Sequence, residues 1–249
     1  MEHKFGFDLA MICAHRGLSE VFPENSLAAF NGARQIGVNW IETDVQVLAD
    51  GVLVLFHDET LQRTSSLQGR LCDLTWPQFK HVDIGSWKSE DFSSERPLRM
   101  ADLLEWQQSL HGAPNIVWEI KIAPGKTLES VTKIADEVCS QLKSSEADRY
   151  CVTSFNRDFL REARRLNPTS PMALSSITLP KDWREFCDEY HMQALHLDGS
   201  AITKRVVHDI KSTGRDVRCF TINERKHAQH LFEWGVDMIF TDDPRLYLF

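Results

Sequence analysis

The feature that most narrows the fold is a recurrence of short apolar runs, eight in number, separated by stretches of helical periodicity. The runs are "MICAH" (11–15), "WIETDVQVL" (40–48), "NIVWEIK" (115–121), "YCVTSF" (150–155), "PMALSSI" (171–177), "ALHLD" (194–198), "VRCFTIN" (217–223) and "VDMIFTD" (236–242). They are continuous in hydrophobicity rather than strictly alternating, as parallel strands covered by helices should be. Helices are expected over 25–36, 101–111, 128–144, 157–166, 181–190, 204–213 and 225–234, three of them stopped by Gly37, Gly214 and Gly235. Strand–helix units in this number close most simply into an α/β (β/α)8 TIM barrel, and 249 residues is an ordinary length for one. An open doubly wound sheet is the runner-up, but no glycine-rich dinucleotide loop favours it.

Two segments break the rhythm. "ADGVLVLFHDE" (49–59) reads as a strand returning from the second barrel strand through an Asp50-Gly51 turn. A two-residue turn sets Asp44 opposite His57; a bulge or longer loop moves that register by one residue. Residues 60–100 carry no clean periodicity and are too long for an ordinary connection, so they read as an insertion after the second strand unit. The expectation is one domain over 1–249, with this excursion lying over one end of the barrel.

Composition excludes several classes. A net charge of −8 argues against a phosphate backbone as partner, so no nucleic acid is expected. The six cysteines never form a Cys-x-x-Cys pair, and several lie in apolar runs, which reads as reduced, buried thiols in a cytoplasmic protein. No run approaches the length of a membrane span, and no stable membrane association is expected.

The informative charges lie at the C-terminal ends of strands, where barrels of this class do chemistry. His15 and Arg16 end the first strand, Glu42 and Asp44 lie on the second, and Glu119 and Lys121 end the third. Residues two apart in a strand share a face, so each of the last two pairs projects together. Three carboxylates gathered at one mouth repel, at about 3 kcal/mol per pair for ~5 Å and an effective dielectric near 20. Arg16 and Lys121 offset part of this, and a divalent cation offsets it better; an all-oxygen set suits Mg²⁺ or Ca²⁺ rather than zinc. The bland alternative is a set of ion pairs with no metal. Two histidines for proton transfer and two permanent cations complete an inventory fit for phosphoryl transfer on an anionic substrate.

Beyond the chemistry of single positions, "AHRG…PENS…WIETDVQVLADGVLVLFHD" is similar to the opening of the glycerophosphodiester phosphodiesterases of the bacterial cytosolic type. "WEIK" (118–121), "SF" (154–155), "TIN" (221–223) and "GVDMIFTDDP" (235–244) resemble their later blocks in order, over essentially the whole chain. The resemblance implies a TIM barrel with a small insertion matching 60–100, and hydrolysis of glycerophosphodiesters to sn-glycerol 3-phosphate and an alcohol. It makes His15 and His57 the general acid/base pair, Glu42, Asp44 and Glu119 the ligands of one divalent metal, and Arg16 and Lys121 the phosphate grips. "RPLRMADLLEW" stands where the family has a Pro-Thr-Leu block, and "FTIN" where it has Trp-Thr-Val-Asn; Phe220 for Trp bears on the shape of the glycerol pocket. The nucleophile is water, or the neighbouring glycerol hydroxyl through a cyclic phosphate.

Phe155, Phe220 and Asn223 are the further substrate-side candidates, with Trp118 beside the two phenylalanines and core packing as the competing reading for all three rings. Asn25 reads as the cap of the first helix, Asp58 as a loop-fixing residue, Asp243 as a turn cap. Glu24 is either solvated or a support of the site, and His196 and Asp198 are either pocket lining or structural hydrogen-bonding groups. A lysophospholipase D-like or cyclising enzyme on the same fold should show an apolar or basic rim. An inactive binding barrel should have lost a histidine or an acid, and none is lost.

Overall fold

A computed structural model describes residues 7–248. The first strand, β1 (Ile12–His15), leads through a loop into α1 (Leu27–Ile36) and then β2 (Trp40–Val47). β2 turns back into the short β3 (Leu53–Leu55), and an irregular stretch with one helical turn, α2 (Trp76–Phe79), runs on to α3 (Met100–Ser109). Strict alternation follows. β4 (Asn115–Ile120) and α4 (Leu128–Leu142) precede β5 (Tyr150–Ser154) and α5 (Arg157–Leu166), then β6 (Met172–Ser176) and α6 (Trp183–Glu189). β7 (Ala194–Asp198), α7 (Lys204–Lys211), β8 (Asp216–Phe220), α8 (Arg225–Trp234) and β9 (Met238–Thr241) complete the chain.

Eight of the strands are parallel, in the order β1-β9-β8-β7-β6-β5-β4-β2, and β1 pairs with β2 to close the sheet on itself. This is the expected TIM barrel. β3 is the exception: it runs antiparallel along β2, on the edge that β2 exposes beyond the end of β1. The turn between them holds three residues, with Gly51 at φ 85°, so the register is Val45↔Leu55 and Gln46↔Val54. That places Phe56, not His57, opposite Asp44, whose carbonyl accepts from Phe56 N at 3.1 Å. The one-residue shift is the geometry of a glycine-bulge hairpin.

Strand alternation sorts side chains into two cores. Inside the barrel, Cys13, Val117, Cys151, Ala173, Ala194, Met238 and Phe240 are buried together. Outward-facing residues such as Ile41, Ile116, Trp118, Val152, Leu174 and Ile239 pack with the helices into the larger core. Trp118 is fully buried there, so core packing, not the pocket wall, is its place. Residues 60–84 have a small core of their own, in which Leu61, Leu71, Phe79, Val82 and Ile84 cover Leu48, Val54 and Phe56 of the hairpin. All six cysteines are free, five of them buried. Among the described residues, no helix is long and apolar enough to cross a membrane.

The loop after β1 departs from expectation in a way that matters for the site. Ser26, not Asn25, caps α1, its Oγ accepting from Ala29 N at 3.2 Å. Asn25 has a left-handed backbone (φ 56°) and turns its buried amide to β2 instead. Arg16 (φ 57°) and Gly17 (φ 82°) share that conformation, and a Cβ on Gly17 would lie 2.6 Å from the backbone carbon of Ala29. The loop is therefore pressed against the start of α1, which delivers Arg16 and Asn25 over the end of β2.

Candidate active site

β2 supplies Glu42 and Asp44 on its inward face, and β4 pairs with it so that Glu119 lies level with Asp44. One ligand oxygen from each of the three carboxylates falls within 4.8 Å of the others, in a group of which two members are buried. Lys121, two residues past Glu119, reaches back with Nζ 2.5 Å from Glu119 Oε1 and 3.1 Å from Asp44 Oδ1. Arg16 Nε lies 3.0 Å from Asp44 Oδ2. Asn25 braces the same acid: Nδ2 donates to Asp44 Oδ2 at 3.0 Å while Oδ1 accepts from Thr43 Oγ1 at 2.8 Å.

These placements set the ionisation. Burial alone would raise the Asp44 carboxyl, but Arg16 and Lys121 hold it well below the ordinary carboxylate range. Burial raises Glu42 well above that range, and repulsion from Asp44 and Glu119 adds to it, outweighing Arg16 and Lys121. Glu42 Oε2 accepts from Arg16 N at 3.1 Å, whereas its buried Oε1 has no partner. Three acids face two close cations, and the uncompensated oxygen is the buried one. A buried carboxyl oxygen without a partner, beside two more acids, is a donor set that could hold a hard cation.

Both histidines stand over this group, and each is held at Nδ1. His15 Nδ1 is 2.7 Å from Asp242 Oδ1, and its Nε2 lies 3.9 Å from Glu42 Oε2. Asp242 follows β9, which barrel closure sets beside β1. Ser19 Oγ shares its one proton between the His15 carbonyl at 2.8 Å and Asp242 Oδ1 at 3.1 Å, and Asn223 Nδ2 donates to Oδ2 at 2.7 Å. With these donors from His15, Asn223 and Ser19, Asp242 is held at about 2 despite burial that would raise it. His57 Nδ1 is 2.6 Å from Asp58 Oδ1. Arg63 donates to both Asp58 oxygens at 2.7 and 3.0 Å, which with the His57 bond holds that carboxyl at about 2 although burial opposes it. An ionised carboxylate only accepts, so each holds the Nδ1 proton of its imidazole and turns Nε2 to the cavity, where a neutral ring offers a lone pair and a protonated ring an N–H.

Arg63 does more. Its Nη1 and Nη2 each donate to Glu24 at 2.7 Å, and Glu24 accepts from Arg16 Nη1 at 2.8 Å. A continuous chain of charge pairs thus runs His57–Asp58–Arg63–Glu24–Arg16–Asp44, and the insertion contributes its central link. Glu24 is accordingly a support of the site, and Asp58 fixes its loop, as expected, through Arg63, and also holds the His57 ring.

His15, Arg16, Glu42, Asp44, His57, Glu119 and Lys121 line one cavity of about 260 Å³, whose wall also holds Thr153, Phe155, His196, Phe220 and Phe240. Phe155 and Phe220 meet edge-to-face with centroids 5.9 Å apart, at its mouth. An adjoining cleft of about 530 Å³ shares His57, Lys121 and Phe155. Asn223 does not line this cavity; its amide is committed to Asp242 and to Thr241, whose Oγ1 it accepts at 3.0 Å. Asp243 is the turn cap expected, accepting from Arg245 N at 3.1 Å. Sequence reasoning missed Asp242 and Arg63. Adjacency of first and last strands in a closed barrel is the signal that points to Asp242; no pattern marks Arg63.

Residues 15–246 match the model of the Glycerophosphoryl diester phosphodiesterase family. The chain belongs to that family. A glycerophosphodiester phosphodiesterase from Caldanaerobacter subterraneus subsp. tengcongensis is 30% identical over 236 residues, covering 94% of each chain. Another, from Bacillus altitudinis, is 30% identical over 239 residues, 95% of this chain and 96% of the relative. Among solved structures, an Oleispira antarctica phosphodiesterase in complex with the product sn-glycerol-3-phosphate superposes with a TM-score of 0.89 at 30% identity, covering 95% of this chain and 94% of that one. The protein is thus a phosphoric diester hydrolase of the glycerophosphodiester phosphodiesterase type, and the cavity at the C-terminal ends of its strands is the place to seek that chemistry.

Proposed function

We propose that the chain acts as a single catalytic domain, with 60–100 as an insertion, and hydrolyses glycerophosphodiesters to sn-glycerol 3-phosphate and an alcohol by acid–base catalysis from His15 and His57. The observation that carries this reading is the pair of imidazoles, each pinned at Nδ1 by a carboxylate and both lining the cavity that holds Arg16 and Lys121. Arg16 and Lys121 neutralise the phosphate oxygens. One imidazole takes the proton of the nucleophile, either water or the vicinal glycerol hydroxyl, as the new P–O bond forms. The other donates its proton to the alcohol oxygen as the old P–O bond breaks. In the vicinal route, water then opens the cyclic phosphate with the roles reversed. Glu42, Asp44 and Glu119 fit one divalent cation, Mg²⁺ or Ca²⁺, which when bound supplies charge neutralisation at the phosphate and orientation of hydroxyls. The six unpaired thiols support a cytoplasmic setting.

One observation favours a second substrate class. The mouth carries an apolar collar, with Phe155 44% and Ile177 52% exposed beside Phe220, which suits a substrate bearing an acyl chain. The test is direct: purified protein is given glycerophosphocholine, glycerophosphoethanolamine or lysophosphatidylcholine, with Mg²⁺, Ca²⁺ or chelator, and product is coupled to glycerol 3-phosphate or free-alcohol detection. Water-soluble diesters are expected to turn over fastest, with His15→Ala and His57→Ala each slower by roughly 10²–10⁴-fold. Near-normal rates in both variants remove the acid–base assignment, and rates that survive exhaustive chelation remove the metal.

A further inference from the structure

The phosphate grips, the acids and the two paired histidines leave unexplained one group of the cavity that is titratable, buried and without a partner. His196, on the inward face of β7, is 2% exposed and lines the cavity, and the Nε2 of its imidazole is buried without a hydrogen-bond partner. Its contact is with the ring of Phe240, at 5.0 Å between centroids. Burial and the nearby Arg218 keep the imidazole neutral, so it carries one N–H and one lone pair.

Its position is continuous with the acids. Glu119 pairs in register with Thr153, Thr153 Oγ1 lies 2.6 Å from Ser175 Oγ, and Ser175 pairs in register with His196. The inward faces of β4 to β7 therefore form a polar ledge running from the carboxylates to the imidazole. Thr153 donates its hydroxyl proton to the carbonyl of Ala173 at 3.0 Å, so Ser175 must donate to Thr153. Both hydroxyl protons of the ledge are committed, whereas Nε2 of His196 has no partner at all. A buried polar atom without a partner is destabilising, and a ligand that pairs with it removes that cost.

The ligand chemistry follows from the state of the ring. A cation is disfavoured beside Arg218, and a phosphate, which only accepts here, can use the N–H of a neutral imidazole but not its lone pair. A hydroxyl, which both donates and accepts, fits. Resting on the glycerophosphodiester reading above, we propose that His196 is a specificity-determining residue that binds a hydroxyl of the glyceryl group, so that the pocket selects glycerol over less hydroxylated alcohols at that end of the substrate.

The experiment compares kcat/KM for glycerophosphocholine with that for its analogue lacking the terminal glycerol hydroxyl, in the native protein, His196→Phe and His196→Gln. The native protein is expected to prefer the full substrate by about tenfold, His196→Phe to lose that preference, and His196→Gln to recover part of it. Turnover with the same ratio in all three overturns the proposal while leaving the hydrolase reading intact; turnover of neither substrate by the native protein overturns the hydrolase reading itself. A second measurement needs no variant: in ¹⁵N-histidine-labelled protein, the resonances of His196, assigned by their loss in His196→Gln, should shift on adding sn-glycerol 3-phosphate and stay in place on adding inorganic phosphate. Equal shifts with both, or no shift with the glycerol ester, overturn the assignment.

Discussion

Replacing Asp242 by Asn tests the His15 arm of the site, and the structure gives the size of the effect. His15 Nδ1 and Ser19 Oγ converge on Oδ1 and Asn223 Nδ2 on Oδ2, all as donors. An amide offers one acceptor oxygen where the carboxylate offers two, so at least one donor loses its partner. The carboxyl is lowered from 3.8 to about 2 by these contacts. A shift of that size corresponds to roughly 2–3 kcal/mol, and its 31% exposed side chain trims this to about 2 kcal/mol through solvent screening. If most of that interaction holds the His15 ring and tautomer for proton transfer, kcat falls by about 30-fold with KM little changed. The linkage has a definite sign. A carboxyl with a depressed native pKa contributes stability that is complete above its unfolded value and is lost as pH falls through the native one, here from about 4 toward about 2. Urea melts between pH 6 and pH 2 should therefore show a steeper acid loss in the native protein than in Asp242→Asn. A kcat within threefold of native in a variant that folds normally would show that Asp242 does not orient His15.

Two further perturbations follow from the geometry. Arg63→Met removes four charge-assisted hydrogen bonds and frees Glu24 and Asp58 together, so kcat/KM should drop by about tenfold; Arg63→Lys should recover only part, because an ammonium cannot span two carboxylates as the guanidinium fork does. Native kinetics in both variants would remove the link between the insertion and the site. Gly17→Ala drives a Cβ to within 2.6–2.8 Å of Ala29 in a left-handed backbone, and should cost more than about 3 kcal/mol, read as a fall of about 10 °C in melting temperature; a fall under about 3 °C would mean that the loop relaxes freely.

What the chain disclosed in advance, and what it withheld, divides along a physical line. Strand and helix periodicity depends on neighbours within a few residues, so the eight barrel strands were legible, and α5 and α8 were legible to the residue. Residues in i, i+2 relation on a strand are equally legible, which is why the sequence alone places Glu42 with Asp44 and Glu119 with Lys121 on common faces. Asp242 was not, because its role depends on a contact across 227 residues. Of the adjacent aspartates, only Asp243 carries a local turn signal. Asn25 misled for the opposite reason: it sits where helix caps sit, but Ser26 is equally good at capping, and the barrel needed an amide to brace Asp44. Arg63 lies in a stretch whose fold comes from a small private core rather than from periodicity, so nothing local says which acids its guanidinium will find. The acids facing the cavity come from regular strands, and Arg16, His57 and Lys121 lie just past strand ends, so they could be read; the groups that hold them in place come from loops and closures, and only the assembled barrel brings them within reach.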